Sequence, residues 1–423
     1  MRRAFALGAF LALATTGIAV AGPLVFKEPL TLAQAVSRVR EAGFDVRIAS
    51  AEAAMASADA ATSRANLLPQ LSLSGTAMSA NLPQLGMPIA RQLYGSANLS
   101  VPIVAIAALN AARAARASGL AASEAADMAR ADAVFIAVQA YRRAQLASAV
   151  LDARHAAVLD QQTHLHLTEL KVEAGKAAPF LSARDRAAVA SAMQMEEDAA
   201  AERDEALNDL QALLDLSPDA PLAIAEVLAP VAFSASREAM LSRALSQSPA
   251  VHAARDRMMA AQRSVAAAQS AFYPTATLNA QSYNGSSNPY LGGTGGQVGV
   301  TVTLPISDGG AHTAALAKAR AQYDRASAVY DQTRANVQRD LSDAWRELQA
   351  AQRNMTTAGA AQVDANEQLR VAQLREQAGK AIELEVLDAL AVAAAARESD
   401  LRATARYDNA VAAVHHAAGD QTT

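Results

Sequence analysis

Two stretches, Asn66-Leu67-Leu68-Pro69-Gln70-Leu71 and Ala271-Phe272-Tyr273-Pro274-Thr275-Ala276, decide the fold, because the second repeats the setting of the first proline 205 residues later. Two further pairs of landmarks follow in the same order, at offsets of 203 and 204 residues: Val101-Pro102-Ile103 with Leu304-Pro305-Ile306, and Ala174-Gly175-Lys176-Ala177 with Ala378-Gly379-Lys380-Ala381. Three pairs of similar stretches in the same order, at nearly the same offset, indicate that the chain consists of two tandem repeats. Such a repeat indicates that the two halves share one architecture.

After each of the two prolines, apolar and polar residues alternate with a period of two. This pattern predicts one β-hairpin per repeat, over 70–103 and 274–306, with a polar and an apolar face. The polar face is predicted to contain Ser72, Ser74, Ser96, Asn98, Thr301 and Thr303. The apolar face is predicted to contain Leu99, Val101, Val298, Val300 and Val302. Strands of about 9–11 residues with this pattern are typical of transmembrane barrels, although an ordinary half-buried soluble hairpin has the same alternation.

A long helix is predicted after each hairpin. Between residues 311 and 377 there is no proline and a single glycine, Gly359, so a helix there would be roughly 100 Å long at 1.5 Å per residue. The first repeat has the matching run over 107–173. Each run ends at a Gly-Lys pair, and glycine is the preferred residue after a helix. Returning helices are predicted over 179–214 and 382–418, which gives long antiparallel pairs.

The N-terminal residues are predicted to be a signal peptide over 1–21. Arg2 and Arg3 precede an apolar run, and Ala19-Val20-Ala21 has the form of a cleavage site; a single membrane anchor is the alternative. The first repeat is predicted over 22–214, a proline-rich linker over 215–235, the second repeat over 236–419 and a tail over 420–423. No later run of about 18 uncharged apolar residues occurs, so a membrane-spanning helix is not predicted.

The composition excludes several classes of site. The chain has no cysteine, which excludes disulfides and thiolate sites, and a net charge of -4 does not favour nucleic acid. His164 and His166 are two residues apart on a helix and point in different directions. His415 and His416 are interpreted as part of a solvated face. No catalytic, cofactor-binding or metal-binding constellation is predicted, and the protein is not expected to be an enzyme.

Four candidate membrane strands cannot close a barrel, and lipid does not tolerate an open strand edge. The chain must therefore form oligomers if its strands are in a membrane. Two copies would supply eight strands, whose interior is filled by side chains, and three copies would supply twelve strands around a lumen.

One order of elements occurs twice in the sequence: helix, Leu-Pro, hairpin, hydrophobic-Pro-Ile, long helix, glycine turn and helix. This duplicated order resembles the TolC family of outer-membrane efflux and secretion channels. The most specific stretch is Leu374-Arg375-Glu376-Gln377-Ala378-Gly379-Lys380-Ala381-Ile382-Glu383-Leu384-Glu385-Val386-Leu387-Asp388-Ala389. The resemblance implies a mainly α fold with a small membrane β-barrel part: long antiparallel helical hairpins that form an α-barrel, four β-strands per chain, and a homotrimer.

The same resemblance implies a passive exit duct in the cell outer membrane, with a periplasmic extension. It would serve a tripartite efflux or type I secretion system. Its partners would be outer-membrane lipid, a periplasmic adaptor and an inner-membrane transporter that supplies the energy. No cofactor and no nucleic acid are implied.

The resemblance also implies roles for particular residues. Glu385 and Asp388 fall on the family's acidic periplasmic gate, whereas the first repeat has Leu181 and Arg184 there. The helix ends at Gly175, Lys176, Gly379 and Lys380 would contact the adaptor. The family often has a small hydroxyl residue three positions after each glycine, but this chain has Ala178 and Ile382.

Two hypotheses from other classes remain at this point. The first is a periplasmic coiled-coil scaffold or tether without channel activity, which would have no use for two equivalent two-faced hairpins. The second is an exported helical enzyme, for which no catalytic constellation is visible.

Overall fold

The structure is a computed structural model that describes residues 29–82, 87–217, 220–285, 293–380 and 383–420. The predicted signal peptide, the positions Ala381 and Ile382, and the last three residues of the predicted tail lie outside these ranges. The first repeat contains α1 (Leu32–Ala42), α2 (Phe44–Ala65), β1 (Gln70–Leu82), β2 (Met87–Val104), α3 (Ile106–Glu173) and α4 (Pro179–Leu213). The second contains α5 (Arg237–Gln247), α6 (Pro249–Ser270), β3 (Thr275–Gly285), β4 (Gly293–Thr303), α7 (Ala311–Gln377) and α8 (Glu383–Ala417). The two repeats have the same element order, as predicted.

The helices that precede the sheet end where the prolines require it. α2 ends at Ala65 and α6 ends at Ser270. β1 begins directly after Pro69, and β3 begins directly after Pro274. Proline cannot continue a helix interior, because its ring replaces the N–H and clashes with the preceding turn. The two prolines therefore convert helix into strand at equivalent places.

The four strands form one antiparallel sheet in the order β1-β2-β3-β4. Pro102 lies inside β2, where the pairing with β3 shifts register between Pro102 and Val104. The equivalent Pro305 lies beyond β4, which ends at Thr303 rather than at the predicted 306. Proline cannot donate a ladder hydrogen bond, so it is found at bulges and strand ends. Within the described residues, β1 and β4 each have one unpaired edge.

The two longest helices form the body of the molecule. α3 has 68 residues and α7 has 67, each about 100 Å long. The sheet-proximal part of α3 packs against α2, where Gly119 approaches Ala56, and against α6, where the Asn110 amide donates to Ser270 Oγ at 3.0 Å. The distal part of α3 packs on α4 and α8, and α7 packs on α6 and α8. The helices thus form a wall with α2 and α4 at one edge and α7 at the other.

Two apolar clusters lie midway along this wall, one in each repeat. The first surrounds the fully buried Tyr141, whose hydroxyl donates to the Leu30 carbonyl at 2.9 Å, and burial raises the pKa of Tyr141 to about 12. The second surrounds Leu341 and Leu348 on α7, with Trp345 packed against it. The linker also contacts the wall, because the Val231 amide donates to the buried Asp408 Oδ1 at 2.8 Å. These clusters fix the linker and the short helices to the wall.

Two pairs of histidines, His164 with His166 and His415 with His416, have different surroundings in the structure. His164 is buried and His166 is exposed, so they do point in different directions. The solvated face proposed for His415 and His416 is wrong. His416 Nε2 lies 2.7 Å from Asp132 Oδ1 of α3, because the C-terminal end of α8 packs against α3. His415 Nδ1 lies 3.2 Å from Oδ2 of Asp420, which follows α8.

None of the described helices combines the length and the apolar character that crossing a membrane would need.

Candidate functional surfaces

The register of the sheet separates its side chains into one polar and one apolar face. Ser72 lies opposite Asn98, Asn98 opposite Gln281, and Gln281 opposite Gln297. Successive strand residues point to opposite sides, so the other predicted polar residues share this face: Ser74 and Ser96, and Thr301 and Thr303 with their partners Thr277 and Thr275. The predicted polar residues of two sequence-distant hairpins are therefore brought together on one surface.

The apolar face is assembled in the same way. Leu71 pairs with Leu99, Val101 with Leu278, and Leu278 with Val300. Its side chains are open to the surroundings in the single chain: Val298 is 75% exposed, Val300 58% and Val302 66%. An exposed apolar surface that extends over several strands marks a place that meets lipid or another protein.

Side-chain hydrogen bonds run across the polar face. Ser74 Oγ and Ser96 Oγ are 2.7 Å apart, and Gln297 donates to Gln281 Oε1 at 3.1 Å. Asn279 donates to Thr301 Oγ1 at 3.3 Å. Arg91 of β2 is the charged residue of the four strands, and it pairs with Ser79 in the register, on the face opposite to Ser72 and Asn98. None of the described side chains of the polar face is charged. This face therefore offers hydroxyl and amide groups to water without a net electrostatic preference.

The two helical hairpins end in identical turns. Gly175 and Gly379 both have φ of 68°, the left-handed region that glycine adopts without strain. The Lys176 amide donates to the Lys171 carbonyl and the Lys380 amide to the Arg375 carbonyl, both at 2.8 Å. This pattern is a Schellman motif, which satisfies the last carbonyls of a helix. Both lysine side chains are exposed at the free ends of the hairpins.

Near these ends, ion pairs connect helices that the sequence alone could not relate. Arg375 Nη1 of α7 lies 3.1 Å from Glu385 Oε2 of α8. Lys171 Nζ of α3 lies 2.5 Å from Glu376 Oε1 of α7, and so joins the first hairpin to the second. One of the two predicted gate carboxylates, Glu385, is therefore paired with a cation in the single chain.

Asp388 has a different environment from Glu385. It is exposed and lines a groove between the two hairpins together with Asp160 and Arg397. Burial raises the pKa of Asp160, and Arg397 acts in the opposite direction. Within the described part of the chain Asp388 has no ion-pair partner, so its charge is available to whatever lies beside this groove.

A buried polar cluster holds the end of the first hairpin, and sequence analysis missed it. Thr168 Oγ1 of α3 donates to Asp185 Oδ2 of α4 at 2.7 Å, and both residues are fully buried. His164 Nε2 lies 3.6 Å from the same carboxylate oxygen. At an offset of 204 the second hairpin has Ala372 and Ala389, which belong to an apolar cluster. Comparing the repeats position by position would have found this difference.

Phe180 was also missed as a surface feature. It lies in the first turn of α4, directly after Pro179, and is 69% exposed at the end of the first hairpin.

No group of three or more histidine, cysteine, aspartate or glutamate side chains suited to a metal ion occurs in the described ranges.

Comparison with solved structures identifies several outer-membrane channels with this fold. The Vibrio cholerae outer membrane protein VceC matches with a TM-score of 0.79 and 23% identity over 92% of this chain and 96% of that one. The Campylobacter jejuni outer membrane channel CmeC matches with a TM-score of 0.80 and 19% identity over 92% and 86%. The Neisseria gonorrhoeae outer membrane channel MtrE, solved in an open state, matches with a TM-score of 0.78 and 19% identity over 93% and 91%. At these identities the likeness shows the fold.

A search of curated protein sequences finds no match. A family model described as outer membrane efflux protein matches twice, over residues 35–215 and 240–420, one match for each repeat. The two matches cover most of the chain, and they agree with the duplicated element order and the two-faced sheet. The chain therefore belongs to the outer membrane efflux protein family, a family of channel proteins.

Proposed function

We propose that three copies of this chain form a passive exit duct that spans the outer membrane and extends through the periplasm. The four-stranded sheet carries the argument, because it has two unpaired edges, one apolar face and one neutral polar face. Lipid does not tolerate unpaired backbone groups, so sheets of this kind must close with copies of themselves. Three sheets give twelve strands, enough to enclose a lumen lined by Ser72, Asn98 and Thr301.

The helical wall supports the same assembly. At one edge, Phe44, Ile48 and Met55 of α2 repeat at helical spacing, and each is more than half exposed. At the other edge, α7 leaves Val363 67% exposed and Leu374 50% exposed. Joining the α2/α4 edge of one copy to the α7 edge of the next would bury both stripes. The helices of three copies would then enclose a tunnel that continues the lumen of the barrel.

The proposed duct acquires its ion selectivity at its periplasmic end. The polar face of the sheet has no described charge, whereas Glu385 and Asp388 lie within the first turns of α8. Three copies of each carboxylate around one axis would favour cations and restrict the entrance. Arg375 neutralises part of this charge by its contact with Glu385, which leaves Asp388 as the stronger contributor.

The proposed duct is passive, so transport through it would depend on partners. We infer that a periplasmic adaptor contacts the hairpin ends at Gly175, Lys176, Gly379 and Lys380 and couples the duct to an inner-membrane transporter. The exposed lysines provide charge, and Phe180 provides an apolar anchor beside the first turn. The resemblance to efflux and secretion channels supports this assembly.

Closure of the barrel can be tested with engineered disulfides, because the chain has no cysteine of its own. Ser72→Cys on the β1 edge is combined in turn with a cysteine at residue 297, 299, 301 or 303 of β4. Within one chain these edges are three strand spacings apart, about 14 Å. Disulfides need Cα atoms within roughly 7 Å, so any crosslink joins two copies.

We expect at least one of these pairs to give a covalent trimer after oxidation in membranes, whereas Ser72→Cys alone gives none. A product that stops at the dimer would contradict the twelve-stranded barrel. A protein that remains monomeric and soluble without detergent would favour the periplasmic scaffold or tether.

A further inference from the structure

Tyr283 has an unusual position on the polar face of the sheet. It lies between Ser96 of β2 and Gly295 of β4 in the register. A Cβ atom added at Gly295 would be 2.4 Å from the Tyr283 hydroxyl oxygen and 2.5 Å from Cζ. The phenol ring therefore lies across the glycine, in space that any other residue would occupy. Such packing of an aromatic ring over a strand glycine is a known stabilising device.

The ring is held against the sheet but is not covered. Tyr283 is 50% exposed, so one side of the ring contacts the backbone of β4 and the other is free. The neighbouring described groups are neutral acceptors and donors, among them the Ser74 and Ser96 hydroxyls and the Gln281 amide. No described charge on the polar face competes for a ligand at this level.

We propose that Tyr283 is a stacking site for planar aromatic cations that pass through the lumen. This inference rests on the proposed duct, in which the polar face lines the lumen and three copies place three rings at one level. The face of an aromatic ring attracts cations and stacks with other aromatic rings. The adjacent hydroxyl and amide oxygens can accept hydrogen bonds from the amino groups of such a solute.

Weak binding suits a duct, because a transported solute must leave each site that it visits. A single stacking contact changes affinity by about 3- to 10-fold. The site lies eight residues along β3 from Thr275, roughly 26 Å from the start of the strand at 3.3 Å per residue. It is therefore well separated from the acidic residues Glu385 and Asp388 at the opposite end of the molecule.

The test measures block of single-channel current by proflavine, a planar aromatic cation, in planar bilayers that contain the full-length protein. Tyr283→Ala removes the ring, and Tyr283→Phe keeps it. Gly295→Ala keeps the tyrosine but forces the ring to move. Gly299→Ala is the matched control, because it lies on the same strand and face and a Cβ there meets nothing within 4 Å.

We expect wild type, Tyr283→Phe and Gly299→Ala to show half-maximal block at the same proflavine concentration. Tyr283→Ala and Gly295→Ala should need about 3- to 10-fold more proflavine, with no change in block by tetraethylammonium, which is not planar. Equal block of wild type and Tyr283→Ala, or a conducting wild type that proflavine does not block, would overturn the inference alone. A membrane-inserted wild type that never conducts would overturn the inference together with the proposed duct.

Discussion

The buried hydrogen bond between Thr168 and Asp185 makes the end of the first hairpin sensitive to Thr168→Ala. The second hairpin has alanine, Ala372, at the equivalent position. Thr168→Ala removes a 2.7 Å hydrogen bond to a carboxylate that is fully buried. Hydrogen bonds to charged groups contribute about 1.5–3 kcal/mol. The carboxylate would keep His164 and Arg184 nearby, at 3.6 Å and 3.7 Å, but neither distance is that of a hydrogen bond. Thr168→Ala should therefore destabilise the hairpin end by about that amount.

The double variant Thr168→Ala with Asp185→Ala should behave differently. It removes the buried carboxylate together with the threonine hydroxyl that donates to it, leaves the more distant His164 and Arg184 in place, and reproduces Ala372 and Ala389 of the second hairpin. Replacing a buried polar pair by apolar residues is often neutral or stabilising, whereas removing one partner is costly. The double variant should therefore lie within about 1 kcal/mol of wild type, so the two substitutions are strongly non-additive.

Amide hydrogen exchange on the full-length protein in detergent measures this difference locally, because hairpin ends open without global unfolding. Since about 1.4 kcal/mol corresponds to a factor of ten, amides over 160–190 in Thr168→Ala should exchange about 10- to 150-fold faster than in wild type. Exchange over 364–394 serves as the internal control and should not change. Exchange of Thr168→Ala at the wild-type rate, or a double variant as labile as Thr168→Ala, would refute a stabilising role for the buried hydrogen bond.

Three further predictions concern the middle of the wall and the turns. Tyr141→Phe loses the bond to the Leu30 carbonyl and should cost about 1–2 kcal/mol in thermal unfolding. Burial raises the pKa of Tyr141 from 10.0 to about 12. The contribution of the protonated phenol to folding stability is therefore complete below pH 10.0 and is lost as pH rises through 12. Alkaline tyrosine titration should show a late-titrating group that Tyr141→Phe removes. Burial also raises the pKa of Asp408, so folding stability falls as pH rises through that pKa. Asp408→Asn should abolish this fall when melting is measured against pH. Asp408→Ala should be less stable, because the Val231 amide of the linker loses its acceptor. Gly175→Ala and Gly379→Ala should each destabilise their turn by about 1–2 kcal/mol, read from local hydrogen exchange, because both glycines have positive φ.

Periodicity in the sequence was sufficient for most of the fold. The landmarks around Pro69 and Pro274 located the sheet, because a helix cannot continue through proline and the following residues alternate strictly. Alternation also assigned Ser72 and Thr301 to one face, since the side-chain period of a strand is two. The glycines at the hairpin ends were identifiable because few residues other than glycine adopt their backbone conformation.

Contacts between distant segments could not be predicted from one sequence. Nothing in the local pattern places Lys171 against Glu376, or gives His416 the partner Asp132, because these pairs depend on how helices pack side by side. Alanine dominates the helices, so each helix has several faces that could pack equally well. Asp185 has the same difficulty, because a single aspartate on a helix normally indicates a solvated position, whereas here it is fully buried.

We propose that the chain forms a channel whose ion selectivity is set at the periplasmic end. Single-channel recording in planar bilayers, with wild type compared with Glu385→Ala/Asp388→Ala, tests it most directly. Small, cation-selective openings are expected from wild type, because the polar face of the sheet has no described charge and the proposed entrance contains Glu385 and Asp388. The double variant should conduct more and lose its selectivity. A confirmed membrane-inserted trimer in which both proteins show the same conductance and selectivity would contradict this account.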